Sequence, residues 1–105
     1  MPGKSRLEQI EAMLQDEPND PELRYMLAME HVSAGRDDEA VRCFQELTSR
    51  CPDYTPGYHQ GGRALVRLNR MAEAKAVLQE GIPVALSQGN EHAAGEMREL
   101  LMTLE

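Results

Sequence analysis

At 105 residues the chain has room for one small domain and little else. With one Phe, three Tyr and no Trp, its core must come from Leu, Met, Ala, Val and Ile, which suits close helix packing better than a β-sandwich. A net charge of −7 argues against general nucleic-acid binding, because phosphate neutralisation needs cations clustered over a wide face.

The N-terminal run Met1–Arg6 leads straight into the charged, amphipathic stretch Leu7–Gln15, which does not read as a signal peptide. No segment approaches the roughly 20 apolar residues that span a bilayer. Both observations point to a cytoplasmic protein with no membrane partner.

Ser5-Arg6-Leu7-Glu8 is a capping-box pattern that opens a first helix. Leu7, Ile10, Met13 and Leu14 follow at helical spacing, and Pro18 forbids continuation. Asp20-Pro21 then restarts the chain, with Asp20 as cap and Pro21 in the first helical position, where no N–H is needed. Leu23, Met26, Leu27, Glu30 and Ala34 trace one face of this second helix, and Gly35 ends it in the left-handed conformation. Asp37 is the expected cap of a third helix, with Ala40, Val41, Phe44 and Leu47 facing inward and Pro52 closing it. Thr55-Pro56 repeats the cap-and-proline device for a fourth helix through Leu65 and Leu68, and Asn69 takes the left-handed role of Gly35. The fifth helix starts near Arg70 and carries Ala74, Val77 and Leu78. Pro83 lies inside it and predicts a kinked continuation to about Ser87. Gly89-Asn90 ends that element and caps the last helix, Glu91–Leu104, whose stripe is Ala93, Ala94, Met97, Leu100, Leu101 and Leu104.

The chain also repeats itself at a spacing of 34 residues. Glu39 falls on Glu73, Ala40 on Ala74, Pro52 on Pro18, Phe44 on Ile10 and Leu47 on Met13. Such a period marks stacked units that cannot bury their apolar faces alone. Short links imply antiparallel neighbours. The expected fold class is therefore all-α, an antiparallel helix-hairpin stack of about six helices.

On these residues the sequence resembles the tetratricopeptide repeat family, a helical solenoid. Its recurring apolar positions fall on Leu27, Ala28, His31, Ala40, Phe44, Leu47 and Pro52 in one unit. In the next they fall on Tyr58, Gly61, Gly62, Leu65, Ala74, Leu78 and Gly81. Arg24, His31 and Leu86 depart from the family's Trp-like, Tyr and Pro preferences, and Leu86 with Pro83 gives the second unit an unusual end. The resemblance divides a single domain, 1–105, into a tail 1–4, a lone second-type helix 5–17, repeats 21–54 and 55–88, and a capping helix 90–104. It implies a protein-binding groove lined by Tyr25, Met29 and Val32 from the first unit and His59, Gln60, Arg63 and Arg67 from the second. Tyr25 and Met29 stand where some members carry a Lys/Asn clamp for C-terminal carboxylates, so that clamp is absent.

Residues 55–80 carry four bases against two acids, a basic island in an acidic chain. Arg63 and Arg67 within it point to an acidic or amphipathic segment of a partner protein. The alternative is a self-associating structural subunit, so the expected state is a monomer or weak homodimer. Gly57–Ala64 nearly fits a phosphate loop. However, Arg63 replaces the Lys, Ala64 replaces the hydroxyl residue and no strand precedes it, so helix-packing glycines explain it better. His31, His59 and His92 fall on different helices, without zinc spacing. Cys43 and Cys51, on one helix, would have Cα atoms about 12 Å apart, too far for a disulfide. No nucleophile motif is present. No catalytic residue, metal or cofactor is expected, and the chain does not read as an enzyme.

Overall fold

The first helix begins on the capping box. In the computed structural model, which describes residues 3–105, Glu8 N–H donates to the Ser5 hydroxyl at 3.1 Å and Ser5 N–H donates to the Glu8 carboxylate at 3.4 Å. The described residues form six α-helices and no strand: α1 (Arg6–Asp16), α2 (Pro21–Ser33), α3 (Asp37–Arg50), α4 (Thr55–Arg67), α5 (Met71–Ser87) and α6 (Glu91–Thr103). The expected all-α hairpin stack is thus the observed architecture. Met1 and Pro2 of the expected tail lie outside the described residues.

Helix ends are of two kinds. After α2, α4 and α5 the chain turns through Gly35 (φ 75°), Asn69 (φ 60°) and Gly89 (φ 69°). At each, the following N–H reaches back five residues: Arg36 to His31, Arg70 to Leu65, Asn90 to Ala85, all at 2.9 Å. This is the Schellman arrangement, and it satisfies carbonyls that the helix leaves open. The ends of α1 and α3 are set differently, by Pro18 and Pro52 just beyond the C-caps Glu17 and Cys51.

Two expected caps are not caps. Asp20 does accept from the N–H groups of Glu22 and Leu23, with Pro21 behind it. Thr55 and Asp37, by contrast, are already helical, and Tyr54 and Arg36 hold the N-cap positions without side-chain bonds. Thr55 is buried, and its hydroxyl bonds Gln88 at 3.0 Å, tying the α3–α4 link to the α5–α6 link. Asp37 opens the acidic first turn Asp37–Glu39, where the helix dipole favours negative charge, and its carboxylate turns to Arg67. Local pattern sees a cap; a tertiary partner takes the side chain.

The fifth helix runs unbroken through Pro83 to Ser87. Proline removes the donor that would meet the Gln79 carbonyl. Gln79 and Pro83 are both exposed, so solvent can meet that carbonyl. With Leu86 where a terminal proline would stand, α5 reaches 17 residues, against 14 for α3.

Each helix packs against its sequence neighbours. In addition, the backbones of α2 and α4, and of α4 and α6, approach closely, whereas those of α1 and α3, and of α3 and α5, stay farther apart. Helices that touch their counterparts on one side and diverge on the other make a curved stack, hollow on the α2/α4/α6 side. The molecule is elongated, 50 × 28 × 19 Å.

Its core forms two clusters. One holds Ala28, Ala40, Val41, Phe44, Leu47, Ala64, Leu65 and Ala74; the other holds Tyr58, Leu78, Ala85, Ala94 and Met97. Glycines set the helix separations, because a methyl group on Gly61 would lie 3.2 Å from Phe44 Cβ, and one on Gly81 only 2.5 Å from Tyr58 Cβ. Helix α2 departs from the single stripe expected of it. Only Ala28 is fully buried, and Glu30 pairs with Arg6 of α1 at 2.5 Å. With α1, α3 and α4 all against it, its burial is spread around the helix.

Candidate functional site

The hollow side is built from surfaces that close packing leaves over. On α4, Tyr58, Gly61, Gly62 and Leu65 turn into the core, and this leaves His59, Gln60 and Arg63 beside them for the open face. On α2, Tyr25, Met29 and Val32 are half-buried and lean against the first core cluster.

Tyr25 is the aromatic centre of this surface. Its ring lies 6.2 Å from that of Phe44 and 5.8 Å from that of Tyr54, tilted by 56° and 59°, and these aromatic contacts hold it in place. Burial pushes its hydroxyl pKa up, and the nearby Arg63 guanidinium opposes the shift. Arg63 is exposed and makes no ion pair among the described residues. His59 is half-buried next to it. Burial pushes the His59 pKa below its ordinary value, Glu96 of α6 works against the shift and Arg63 adds to it.

The second expected cation is differently engaged. Arg67 donates from Nε and Nη2 to Asp37 at 3.0–3.1 Å, in a forked pair between the end of α4 and the start of α3. The Asp37 side chain is 18% exposed, so its pairing holds two units together rather than leaving Arg67 as an unpaired cation. Of the expected set, the structure therefore brings Tyr25, Arg63 and His59 into one electrostatic neighbourhood, with Met29 and Val32 alongside on α2 and Gln60 on α4. Arg67 is tied off.

Glu96 is a groove neighbour that the repeat spacing misses. Helix α6 begins 36 residues after α4, against 34 between α2 and α4. Strict repetition would carry Arg63 onto Met97, which is fully buried. Counting from each helix start puts Glu96 and Glu99 on the hollow side, and the absent terminal proline at Leu86 is the sequence signal for that shift.

Other candidate chemistry is thin. Both thiols are free and half-buried, and burial pushes the Cys43 pKa up. Among the described residues no three His, Cys, Asp or Glu side chains group to hold a metal, and no helix is long and apolar enough to cross a membrane. A crevice lined by Val41, Phe44, Thr48, Gly61 and Val77 has room for about 20 Å³, the scale of one water.

Comparison with known proteins agrees with this geometry. The tetratricopeptide repeat pattern matches residues 21–54. A TPR repeat-containing protein of Pseudomonas aeruginosa is 26% identical over 99 residues, covering 94% of each chain. The solution structure of a tetratricopeptide repeat domain protein from Salinibacter ruber is 33% identical and superposes with a TM-score of 0.78 over 84% of this chain and 89% of that one. PcrH, solved in complex with the chaperone binding region of PopD, shares the fold at 13% identity, with a TM-score of 0.87 over 93% of this chain and 74% of its own. Two stacked helix hairpins with a lone helix before them and another after, glycines at their close approaches and a relative one-third identical over most of its length together establish that this chain belongs to the tetratricopeptide repeat family.

Proposed function

We propose that the protein is a non-enzymatic interaction module that holds a segment of a partner protein in the hollow lined by α2, α4 and α6. The observation that carries this reading is the juxtaposition of half-buried apolar side chains, Tyr25, Met29 and Val32, with the exposed Arg63, which makes no ion pair among the described residues. A rigid aromatic, adaptable methionine and an arginine are the residue types that concentrate at protein interfaces. Tyr25 is held in place by Phe44 and Tyr54, so ordering it on binding costs little. The complex of PcrH with a PopD segment supports the reading at the level of fold.

The ligand we favour offers an acidic group to Arg63. Substituting Arg63→Glu leaves Arg67–Asp37 intact and should weaken such a ligand about two- to fivefold, the scale of an exposed ion pair, with the loss shrinking as salt rises. The deciding experiment is NMR mapping on labelled protein with a selected binding peptide. Shifts concentrated at Tyr25, Met29, His59 and Arg63 are expected. Shifts confined to the outer faces of α1, α3 and α5 would refute the groove.

A second reading, self-association, rests on Met102, which is 73% exposed on α6. It requires a mass in light scattering that rises with concentration and that falls back to one chain in Met102→Lys.

A further inference from the structure

Charge along the hollow is ordered by helix. The apolar side chains Tyr25 and Met29 come from α2, Arg63 from α4, and the exposed Glu96 and Glu99 from α6. Three residues apart, Glu96 and Glu99 share a face, while Ala94, Met97 and Leu101 hold the core side of the same helix. Glu96 faces His59 across the α4–α6 contact. Its partner within the chain is His92 at 2.9 Å, whose side chain is 88% exposed and holds it weakly. Neither Arg63 nor this acidic edge is neutralised by a buried counter-charge.

That order discriminates between ligands. A uniformly acidic segment would gain at Arg63 and then run against Glu96 and Glu99, on a chain already at −7. A uniformly basic one would meet Arg63 in the middle of its path. Only a segment with opposite charges in the right order matches all three helices.

Resting on the groove reading above, we propose that the occupant is an extended segment of a partner protein that places an apolar side chain over Tyr25 and Met29, an acidic one at Arg63 and a basic one at Glu96 and Glu99. Adjacent packed helices lie about 8–10 Å apart and an extended chain rises about 3.3 Å per residue, so these three side chains fall roughly three residues apart. The match in the second and third places is electrostatic. The first place supplies burial, and together they fix both register and direction.

Selection from a random peptide library tests this, with peptides of about ten residues, long enough to cross the roughly 20 Å from α2 to α6. Selected on the native chain, sequences should converge on apolar, acidic and basic residues at that spacing. Selected on Arg63→Glu, the middle position should turn basic. On Glu96→Lys with Glu99→Lys, both exposed and therefore safe for folding, the last position should turn acidic. A consensus without charge order, or one unchanged by both variants, overturns the proposal. If such peptides still shift the resonances of Tyr25 and Met29, the groove reading survives that failure. Absence of any enrichment on the native chain overturns both.

Discussion

Substituting alanine at Gly81 and at Gly95 should move stability in opposite directions, though both glycines sit inside helices. Helix propensity alone favours each change by about 0.5–1 kcal/mol, because alanine restricts the unfolded chain. Packing separates them. A methyl at Gly81 would lie 2.5 Å from Tyr58 Cβ and 2.9 Å from the Met97 sulfur, whereas one at Gly95 meets nothing within 4 Å. The Met97 sulfur can swing aside. Tyr58 Cβ cannot, since it moves only with α4, so α4 and α5 would have to part by about 1 Å to restore ordinary contact. Overpacking of this kind costs about 1–3 kcal/mol, leaving Gly81→Ala down by up to about 2.5 kcal/mol and Gly95→Ala up by about 0.5–1 kcal/mol. Gly62→Ala should fall between, because its obstacle at 2.8 Å is the movable Leu78 Cδ2. Urea denaturation with a common m-value reads these differences directly, and thermal melts should separate Gly81→Ala from Gly95→Ala by about 10 °C. A Gly81→Ala protein as stable as Gly95→Ala would refute the α4–α5–α6 packing.

Three further outcomes are expected. Asn69→Ala should cost about 1 kcal/mol, the penalty of a Cβ in left-handed geometry, whereas Asn69→Gly should be neutral or better in the same denaturation assay. Pro83→Ala should stabilise by about 1–3 kcal/mol by returning the donor for the Gln79 carbonyl, and no gain would mean that the helix does not run through this position as observed. His59 has a lowered folded-state pKa, so the unfolded chain binds its proton first. Its contribution is present above its ordinary value of 6.5 and is lost as pH falls below it toward the folded pKa. His59→Gln should therefore flatten the stability profile in that window, and an unchanged slope there would contradict the burial of the ring.

Helix starts and stops were largely legible because they are local chemistry. Ser5 with Glu8, Asp20 with Pro21, Asn90 ahead of α6, and the left-handed Gly35, Asn69 and Gly89 each act within about five residues of chain. The small residues Ala28, Ala40, Gly62 and Ala74 were legible too, since stacking helices this closely leaves no room for larger ones. The candidate site was legible only as a set of faces.

Everything else depended on which side chain met which across the stack. Thr55 and Asp37 have the composition of caps, yet Gln88 and Arg67, 33 and 30 residues away, claim them. The same pairing gives Arg67 an intramolecular counter-charge, while Arg63 makes no ion pair among the described residues. Glu96 enters because α5 runs past the length of α3 and shifts the register of α6 by two residues. Periodicity, capping and backbone geometry are short-range, so the order of residues was enough to dictate paired helices that stack. Which charges stay unpaired follows from the fold, because an ion pair between units depends on how the helices meet, and spacing along the chain does not carry that distance.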